Sequence, residues 1–350
     1  MSNLDPPSNP GGLKAELRRD RLTGKQVIVV PGRSDRPHPV VSNSSAQSDE
    51  YCASCPLCVG NEQETPPSVL TLARPDSRRL WDVRVIPNLY PVVSAESKQS
   101  ADAGSSIHPS ATGIHEVVVE TPSHNRELPD RELSEVLPLL DAYRERLADL
   151  EARRATRHVV VFKNRGLEAG TSLDHPHSQI IALDFLPNQV TRRTQIARRH
   201  LRTSGGCLLC SIVAEERQSW ERIVFKREGF VAFSPYASSS AGEVLLVPLM
   251  HAPSFTTISS KDREQLAGSL IALLRQMQAA FNDPAYNLVL HTAPKPWHDD
   301  AALHWYWQLT PRLTRTAGLE LATDLNVNPL APEYAASQLR NIAAPRGDLT

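Results

Sequence analysis

Two C-x-x-C pairs, Cys55-Pro-Leu-Cys58 and Cys207-Leu-Leu-Cys210, constrain this chain more than any other feature. Thiolates at that spacing converge on one Zn²⁺ at about 2.3 Å when two further ligands arrive from elsewhere. A lone pair of this kind reads equally well as a redox dithiol or as two buried thiols. Here each pair is followed by the same program: a strand ending in a His, an amphipathic helix, a strand, then another strand opening with His. In the first half the histidines are His124, in Thr-Pro-Ser-His, and His175, in His-Pro-His-Ser-Gln; in the second they are His251, in Pro-Leu-Met-His, and His304, in His-Trp-Tyr-Trp-Gln. The separations are 51 residues from His124 to His175 and 53 from His251 to His304. The repeat predicts two Cys₂His₂ zinc sites, one per half: Cys55, Cys58, His124 and His175, then Cys207, Cys210, His251 and His304. The remaining cysteine, Cys52, reads as a spare loop thiol that competes, at most, for the first metal.

Bulk properties narrow the class further. A chain of 350 residues has room for more than one core. With 38 basic and 39 acidic side chains its formal charge is -1, which removes the electrostatic reason to expect nucleic-acid binding or adhesion to an anionic membrane. No apolar run approaches the ~20 residues needed to span a bilayer, and the opening MSNLDPPSNPGG lacks a basic and an apolar leader region. These features set the expectation of a soluble, unexported, cytoplasmic protein. Five cysteines in two clusters are too few for a secreted disulfide scaffold.

Periodicity predicts an α+β protein of two similar halves, 1–202 and 203–350, each an antiparallel sheet with a long helix packed on it. Strands are expected at Lys25 to Val30, Val83 to Ile86, His115 to Glu120, His158 to Phe162 and Gln179 to Leu183, and again at Arg222 to Lys226, Phe230 to Phe233, Glu243 to Pro248, Tyr286 to His291 and His304 to Leu309. Helical stripes run from Pro129 to Glu151, from about Lys261 to Phe281 behind a Ser259 or Ser260 cap, and from Pro332 to Ile342. Residues 1–12, 42–50 and 94–110 read as a mobile terminus and surface loops, and the breaker cluster at Thr203-Ser-Gly-Gly marks the boundary.

Superposing the halves locates the chemistry. His175-Pro-His177-Ser-Gln179 falls on His304-Trp-Tyr306-Trp-Gln308, so the outer members agree while Tyr306 stands in place of His177. With His175 turned to a metal, His177 is free for other work, and a neutral imidazole beside phosphate-binding groups suits nucleophilic attack with a covalent intermediate. From spacing alone His177 reads equally as a further ligand or a satisfied polar residue.

Asn164-Arg-Gly, Ala169-Gly-Thr-Ser172 and His175-Pro-His-Ser-Gln179 together resemble the active-site segment of galactose-1-phosphate uridylyltransferases, in the histidine-triad superfamily. Cys55-Pro-Leu-Cys-Val-Gly-Asn-Glu62 is similar to that family's zinc knuckle, and Leu22-Thr-Gly-Lys-Gln-Val-Ile-Val29 with Pro31-Gly-Arg-Ser-Asp-Arg-Pro37 is similar to its nucleotide-contacting segment. The likeness runs from about residue 15 to 340. It implies a nucleotidyltransferase of carbohydrate, specifically galactose, metabolism that moves UMP or AMP between a nucleoside diphosphate sugar and a sugar 1-phosphate. By motif, His177 would be the nucleophile and Gln179 would hold the transferring phosphoryl oxygens. Gly170 and Ser172 would hold the adjacent phosphate, Asn88 and Asn164 would touch the nucleotide, and Arg33 and Arg36 are candidate phosphate or base contacts. The resemblance also implies the first zinc ligand set given above and a homodimer.

Three departures bear on substrate. The position where bacterial relatives carry a metal-binding Glu is near Gln189, their H-x-H pair is His304-Trp-Tyr306, and Ala322-Thr-Asp324 stands where the family has a Gly-Thr-Gly loop. The second C-x-x-C, Asn282-Asp-Pro-Ala-Tyr-Asn-Leu288 and His291-Thr-Ala-Pro resemble the branch that includes plant ADP-glucose phosphorylase. Competing readings are an ADP-sugar phosphorylase or nucleotide hydrolase of the same superfamily and a non-catalytic, zinc-braced binding module. The neutral charge and the intact His177/Gln179 pair weigh against the last.

Overall fold

The protein is described here from a computed structural model covering residues 15–31, 49–74, 80–94, 111–227 and 229–342. In chain order the elements are β1 (Glu16–Arg19), β2 (Gln26–Val29), β3 (Leu70–Leu72), β4 (Val83–Pro87), β5 (Gly113–Val119), α1 (Leu133–Ala152), β6 (His158–Arg165) and β7 (His177–Leu183). There follow α2 (Asn188–Ser204), α3 (Leu208–Ser219), β8 (Ile223–Arg227), β9 (Phe230–Phe233), β10 (Val244–Pro248) and α4 (Ser260–Phe281). The chain ends with β11 (Tyr286–His291), β12 (Tyr306–Pro311), α5 (Gly318–Thr323), β13 (Asn326–Asn328) and α6 (Pro332–Asn341).

The α+β class holds, and the two expected sheets join edge to edge. Ten strands form one sheet in the order β3-β4-β5-β7-β6-β11-β12-β10-β9-β8. This order is symmetric about the β6–β11 seam, where Asn287 pairs with Asn164 and Val289 with Phe162. Each half supplies five strands, and the fourth strand of each meets its counterpart at the centre. The first two strands break the symmetry: β2 pairs in parallel with β13, and Arg18 Nη1 reaches Glu333 and the Tyr236 carbonyl, each at 2.9 Å.

One face of the long sheet is dry. Val85, Val118, Ile180, Val161, Leu288, Trp307 and Leu246 pack against α1 and α4 in a single cluster that crosses the seam. Helix α1 begins at a reciprocal capping box between Glu132 and Glu135, and α4 at Ser259, whose hydroxyl accepts from the Asp262 N–H. The opposite face differs between halves. In the second half α3 covers it, with Leu209 and Val213 packed on Val231, Phe233, Leu245 and Tyr306. In the first half Val117, Val160, Phe162, Gln179 and Ile181 on that face are only partly buried, leaving a trough over β5, β7 and β6.

Helices α2 and α3 were not expected from the sequence. Helix α2 carries five arginines and buries only Thr194 and Ala197, so its apolar stripe is too thin to read. It runs past residue 202 and stops at Gly205, which takes the left-handed conformation at φ 76°. Strand β12 starts two residues later than expected, because the Trp305 N–H turns to the Ala252 carbonyl. Among the described residues no helix is long and apolar enough to cross a membrane. The expected terminus at 1–12 and most of the loops at 42–50 and 94–110 lie outside the described residues.

Because one core spans the seam, the halves should unfold together. Leu288→Ala, at a position 2% exposed, should cost about 2–5 kcal/mol and shift one denaturant transition seen alike by fluorescence and circular dichroism. A second expectation concerns Glu151 in the last turn of α1, 3.5 Å from His298, with its Oε1 buried and unpartnered among the described residues. Burial pushes its carboxyl up from 4.5 to about 7. The native state therefore holds a proton that the unfolded chain releases, and stability falls as pH rises between those values. Glu151→Gln should remove that decline, worth no more than about 3 kcal/mol, in melts taken from pH 4.5 to 8.

Candidate active and metal sites

The four side chains of the first set, on three separate segments, meet beyond the ends of β5 and β7. Cys55, Cys58, His124 and His175 place their ligand atoms within 4.8 Å of one another, all buried. His175 Nδ1 lies 3.8 Å from Cys55 Sγ and 3.6 Å from Cys58 Sγ, and His124 Nδ1 lies 3.4 Å from Cys58 Sγ. A tetrahedral ion with ordinary Zn–S and Zn–N bonds has S···N edges of about 3.6 Å, so the spacing fits such an ion. The His175 Nε2–H donates to the Thr121 carbonyl at 2.8 Å, which leaves Nδ1 as the free lone pair facing the thiols. Burial pushes the Cys55 thiol up to about 11, and a bound cation would favour its thiolate. Cys52 contributes its backbone N–H to Cys58 Sγ at 3.4 Å and turns its own sulfur to the Ser54 hydroxyl.

Cys207, Cys210, His251 and His304 repeat the arrangement. Cys210 Sγ is 3.5 Å from His251 Nδ1 and 3.4 Å from His304 Nδ1. The two histidine rings stand edge to face at 78°, against 76° for His124 and His175. This second set is more open: His251 is exposed and Cys210 half-buried. Among the described residues His304 Nε2 has no partner, whereas His175 has Thr121.

His177 opens β7 two residues beyond the metal-facing His175. Its Nδ1–H donates to the His175 carbonyl at 2.8 Å, so Nε2 carries the lone pair. The ring is 7% exposed, and burial lowers its pKa below the usual imidazole range against the pull of that backbone bond. On the dry face directly behind it, a closed charge network braces the strands. Lys163 Nζ sits 3.1 Å from Glu120 and 3.0 Å from Glu127, Arg131 donates to the Glu120 carbonyl, and Tyr143 pairs with the Ser178 hydroxyl at 2.7 Å. Two anions and two cations leave this network neutral, which is the condition for burying it.

Three amide side chains lie on the strands and loops around His177. Gln179 follows His177 on the trough side, and its Oε1 receives His115 Nε2 at 2.8 Å. The Asn88 amide nitrogen lies 3.1 Å from His115 Nε2, and Asn88 Oδ1 accepts the Tyr90 N–H at 2.9 Å. Asn164, near the end of β6, has its Oδ1 held by the Asn287 amide at 2.7 Å, across the seam. The same amide nitrogen reaches the Ala169 carbonyl at 3.0 Å, and Arg312 donates to Asn287 Oδ1. The 166–172 loop turns on Gly166 and Gly170, at φ 83° and 87°, a conformation that other residues adopt only with strain. Gly170 and Ser172 lie exposed at its tip.

His177, Gln179, Asn164, Gly170 and Ser172 thus lie on neighbouring strands and the loop that follows β6, with Asn88 linked to them through His115. Arg33 and Arg36 lie outside the described residues. Sequence reasoning missed His115, Asn287 and Arg312. Asn287 falls inside the 282–288 motif, which assigns it no role, while His115 and Arg312 lie in no motif, and the strand register sets Asn287 opposite Asn164. Gln189 lies in the first turn of α2. Asp324, left-handed at φ 55°, has Lys25 Nζ 3.0 Å from its carboxylate.

Amide side chains, a histidine of fixed tautomer and a paired Cys₂His₂ geometry form one candidate site, and likeness to known proteins gives its class as that of nucleotidyl-transferring enzymes. The sequence profile for the galactose-1-phosphate uridyl transferase N-terminal domain matches residues 13–187. ADP-glucose phosphorylase from Arabidopsis thaliana is 32% identical over 333 residues, covering 94% of this chain and 93% of that protein. Galactose-1-phosphate uridylyltransferase from Thermotoga maritima is 28% identical over 335 residues, covering 93% and 98%. The crystal structure of the Arabidopsis phosphorylase with bound ADP-glucose superimposes with a TM-score of 0.81 at 30% identity, covering 94% of this chain and all of that one. A uridylyltransferase structure gives 0.71 at 29% identity, covering 93% and 97%. The chain belongs to the galactose-1-phosphate uridylyltransferase family.

Elemental analysis of the purified protein should return two divalent metal ions per chain. Cys58→Ser should lose the ion of the buried set and Cys210→Ser that of the open set, and a chelator should strip the open set first. One ion per wild-type chain would contradict the pairing.

Proposed function

We propose that the protein transfers a nucleotidyl group, UMP or AMP, from a nucleoside diphosphate sugar to a phosphate-bearing acceptor through a covalent nucleotidyl-His177. The hydrogen bond from His177 Nδ1 to the His175 carbonyl carries this reading, since it leaves Nε2 as the one ring lone pair free to attack. His177 Nε2 forms a bond to the α-phosphorus as the bond to the bridging oxygen breaks, and sugar 1-phosphate leaves. The ring becomes cationic, and the His175 carbonyl, already bound to its Nδ1–H, stabilises that charge. The acceptor phosphate then attacks the same phosphorus and restores the neutral ring. The Gln179 and Asn164 amides donate to the oxygens of the transferring group, and the Gly170 backbone and Ser172 hold the neighbouring phosphate. Asn88 faces the nucleotide, and by motif Arg33 and Arg36 would contact its phosphate or base.

The two Cys₂His₂ sets fit zinc, which when bound keeps the thiolates ionised and ties each knuckle loop to its sheet. The halves 1–202 and 203–350 represent one unit used twice, of which the first kept its nucleophile. In the second, the Tyr306 hydroxyl accepts from Arg193 at 3.2 Å where His177 would act. We place the enzyme in the cytoplasm as a homodimer.

A second reading is phosphorolysis of an ADP-sugar, with orthophosphate as acceptor. In both reactions sugar 1-phosphate leaves in the first step, and they differ in the acceptor of the second, so Asp324 paired with Lys25 does not separate them. The second C-x-x-C and the 282–288 segment, which resemble the phosphorylase branch, favour phosphorolysis. The likeness to the Arabidopsis phosphorylase points the same way.

Incubation with UDP-glucose or ADP-glucose labelled at the α-phosphorus should leave an acid-labile, base-stable label on the protein. His177→Ala should take up none, and label persisting in that variant would sink the nucleophile assignment. Chasing the labelled enzyme with glucose 1-phosphate, galactose 1-phosphate or orthophosphate identifies the acceptor.

A further inference from the structure

We infer that His115 is a positioning residue. It holds the Gln179 carboxamide with its oxygen turned inward, so that both amide hydrogens face the transferring phosphoryl group. This rests on the nucleotidyl-transfer reading above. The two ends of a glutamine amide have nearly the same shape, and a half-turn of the terminal torsion exchanges a donor for an acceptor. Facing a phosphoryl oxygen, the flipped amide would present lone pairs to an anion, so the site needs a group that selects one orientation.

The tautomer of His115 makes that selection. The Val92 N–H points at His115 Nδ1 from 3.2 Å, and the Asn88 amide nitrogen, between the two ring nitrogens at 3.3 Å from Nδ1 and 3.1 Å from Nε2, can donate to the same Nδ1. With Nδ1 the acceptor, the proton resides on Nε2. Nε2 is the atom 2.8 Å from Gln179 Oε1, and a donor there can only be met by the amide oxygen. His115 is 6% exposed, and burial draws its pKa below the usual imidazole range, which favours the neutral ring this pattern requires. Among the described residues no protein acceptor engages the Gln179 amide nitrogen, which is left for a ligand.

The second half supplies an internal comparison. Gln308 occupies the corresponding place, and His291 Nε2 holds its oxygen at 2.6 Å. There the amide nitrogen donates to Glu243 at 2.7 Å and Tyr306 replaces the nucleophile. Both halves hold the glutamine oxygen with a histidine, His115 from β5 in the first and His291 from β11 in the second. The register counterpart of His115 is Glu243, which takes up the Gln308 amide donor that Gln179 keeps free.

The test uses His115→Leu, His115→Gln, Gln179→Ala and the double variant His115→Leu/Gln179→Ala. Each is checked for wild-type metal content and melting temperature, and the readout is the single-turnover rate of His177 nucleotidylation. His115→Leu should slow that step roughly ten- to hundredfold at saturating donor, with KM within about threefold. His115→Gln, whose side-chain amide can donate from near the position of Nε2, should recover most of the loss. With Gln179 already removed, His115→Leu should cost nothing further. A wild-type rate in His115→Leu, or an undiminished loss in the Gln179→Ala background, would overturn the inference alone. Absence of label in the wild type would overturn the nucleotidyl-transfer reading and this inference with it.

Discussion

The hydrogen bond from His177 Nδ1 to the carbonyl of His175, 2.8 Å long, is the constraint on which the rest of the structure turns. It lies inside a two-residue step of the chain. At one end His175 is committed to the Cys55, Cys58 and His124 cluster, with its far nitrogen fixed by Thr121. At the other end His177 faces an open trough with its lone pair on Nε2. Anchoring the first histidine fixes the carbonyl, the carbonyl fixes the tautomer of the second, and the tautomer decides which nitrogen can react. The Cys₂His₂ cluster thereby bears on the orientation of His177 from two residues away.

The sheet around this step is organised so that one face is dry and rigid while the other is divided between a cover and a cleft. The ion network of Glu120, Lys163, Arg131 and Glu127 lies behind β7, and breaking it would strand a buried charge. Continuity of the sheet across the seam also lets the second half act on the first. Asn287 and Arg312 both belong to the second half, yet Asn287, held by Arg312, orients Asn164 on the strand beside β7. In the second half the same face is sealed by α3, and Arg193 of α2 engages the residues that replaced the reacting groups.

Much of this was legible in the sequence, for identifiable reasons. The two ligand sets could be read because C-x-x-C spacing is local and the His separations repeat. The long helices α1 and α4 could be read because each carries a continuous apolar stripe. Helix α2 could not, since it buries so little, and neither could the β6–β11 seam, whose partners are more than 100 residues apart and carry no mark of their pairing. For the site, the nucleophile segment was visible as a motif. The residues that orient it were not: His115 and Asn287 look like ordinary strand positions until the register places them opposite the trough. Ala322-Thr-Asp324 was legible as a departure from the family's loop, and the fold adds Lys25 lying against the Asp324 carboxylate.

The central claim is that a neighbouring carbonyl chooses the reactive nitrogen of His177. Phosphorus–nitrogen coupling on ¹⁵N-histidine-labelled enzyme, trapped after reaction with a nucleoside diphosphate sugar, tests it most directly. The account predicts one nucleotidyl group per chain, its phosphorus coupled to Nε2 of His177 while the Nδ1 proton stays protected from exchange. Phosphorus bonded to Nδ1, or to any other residue, would contradict it.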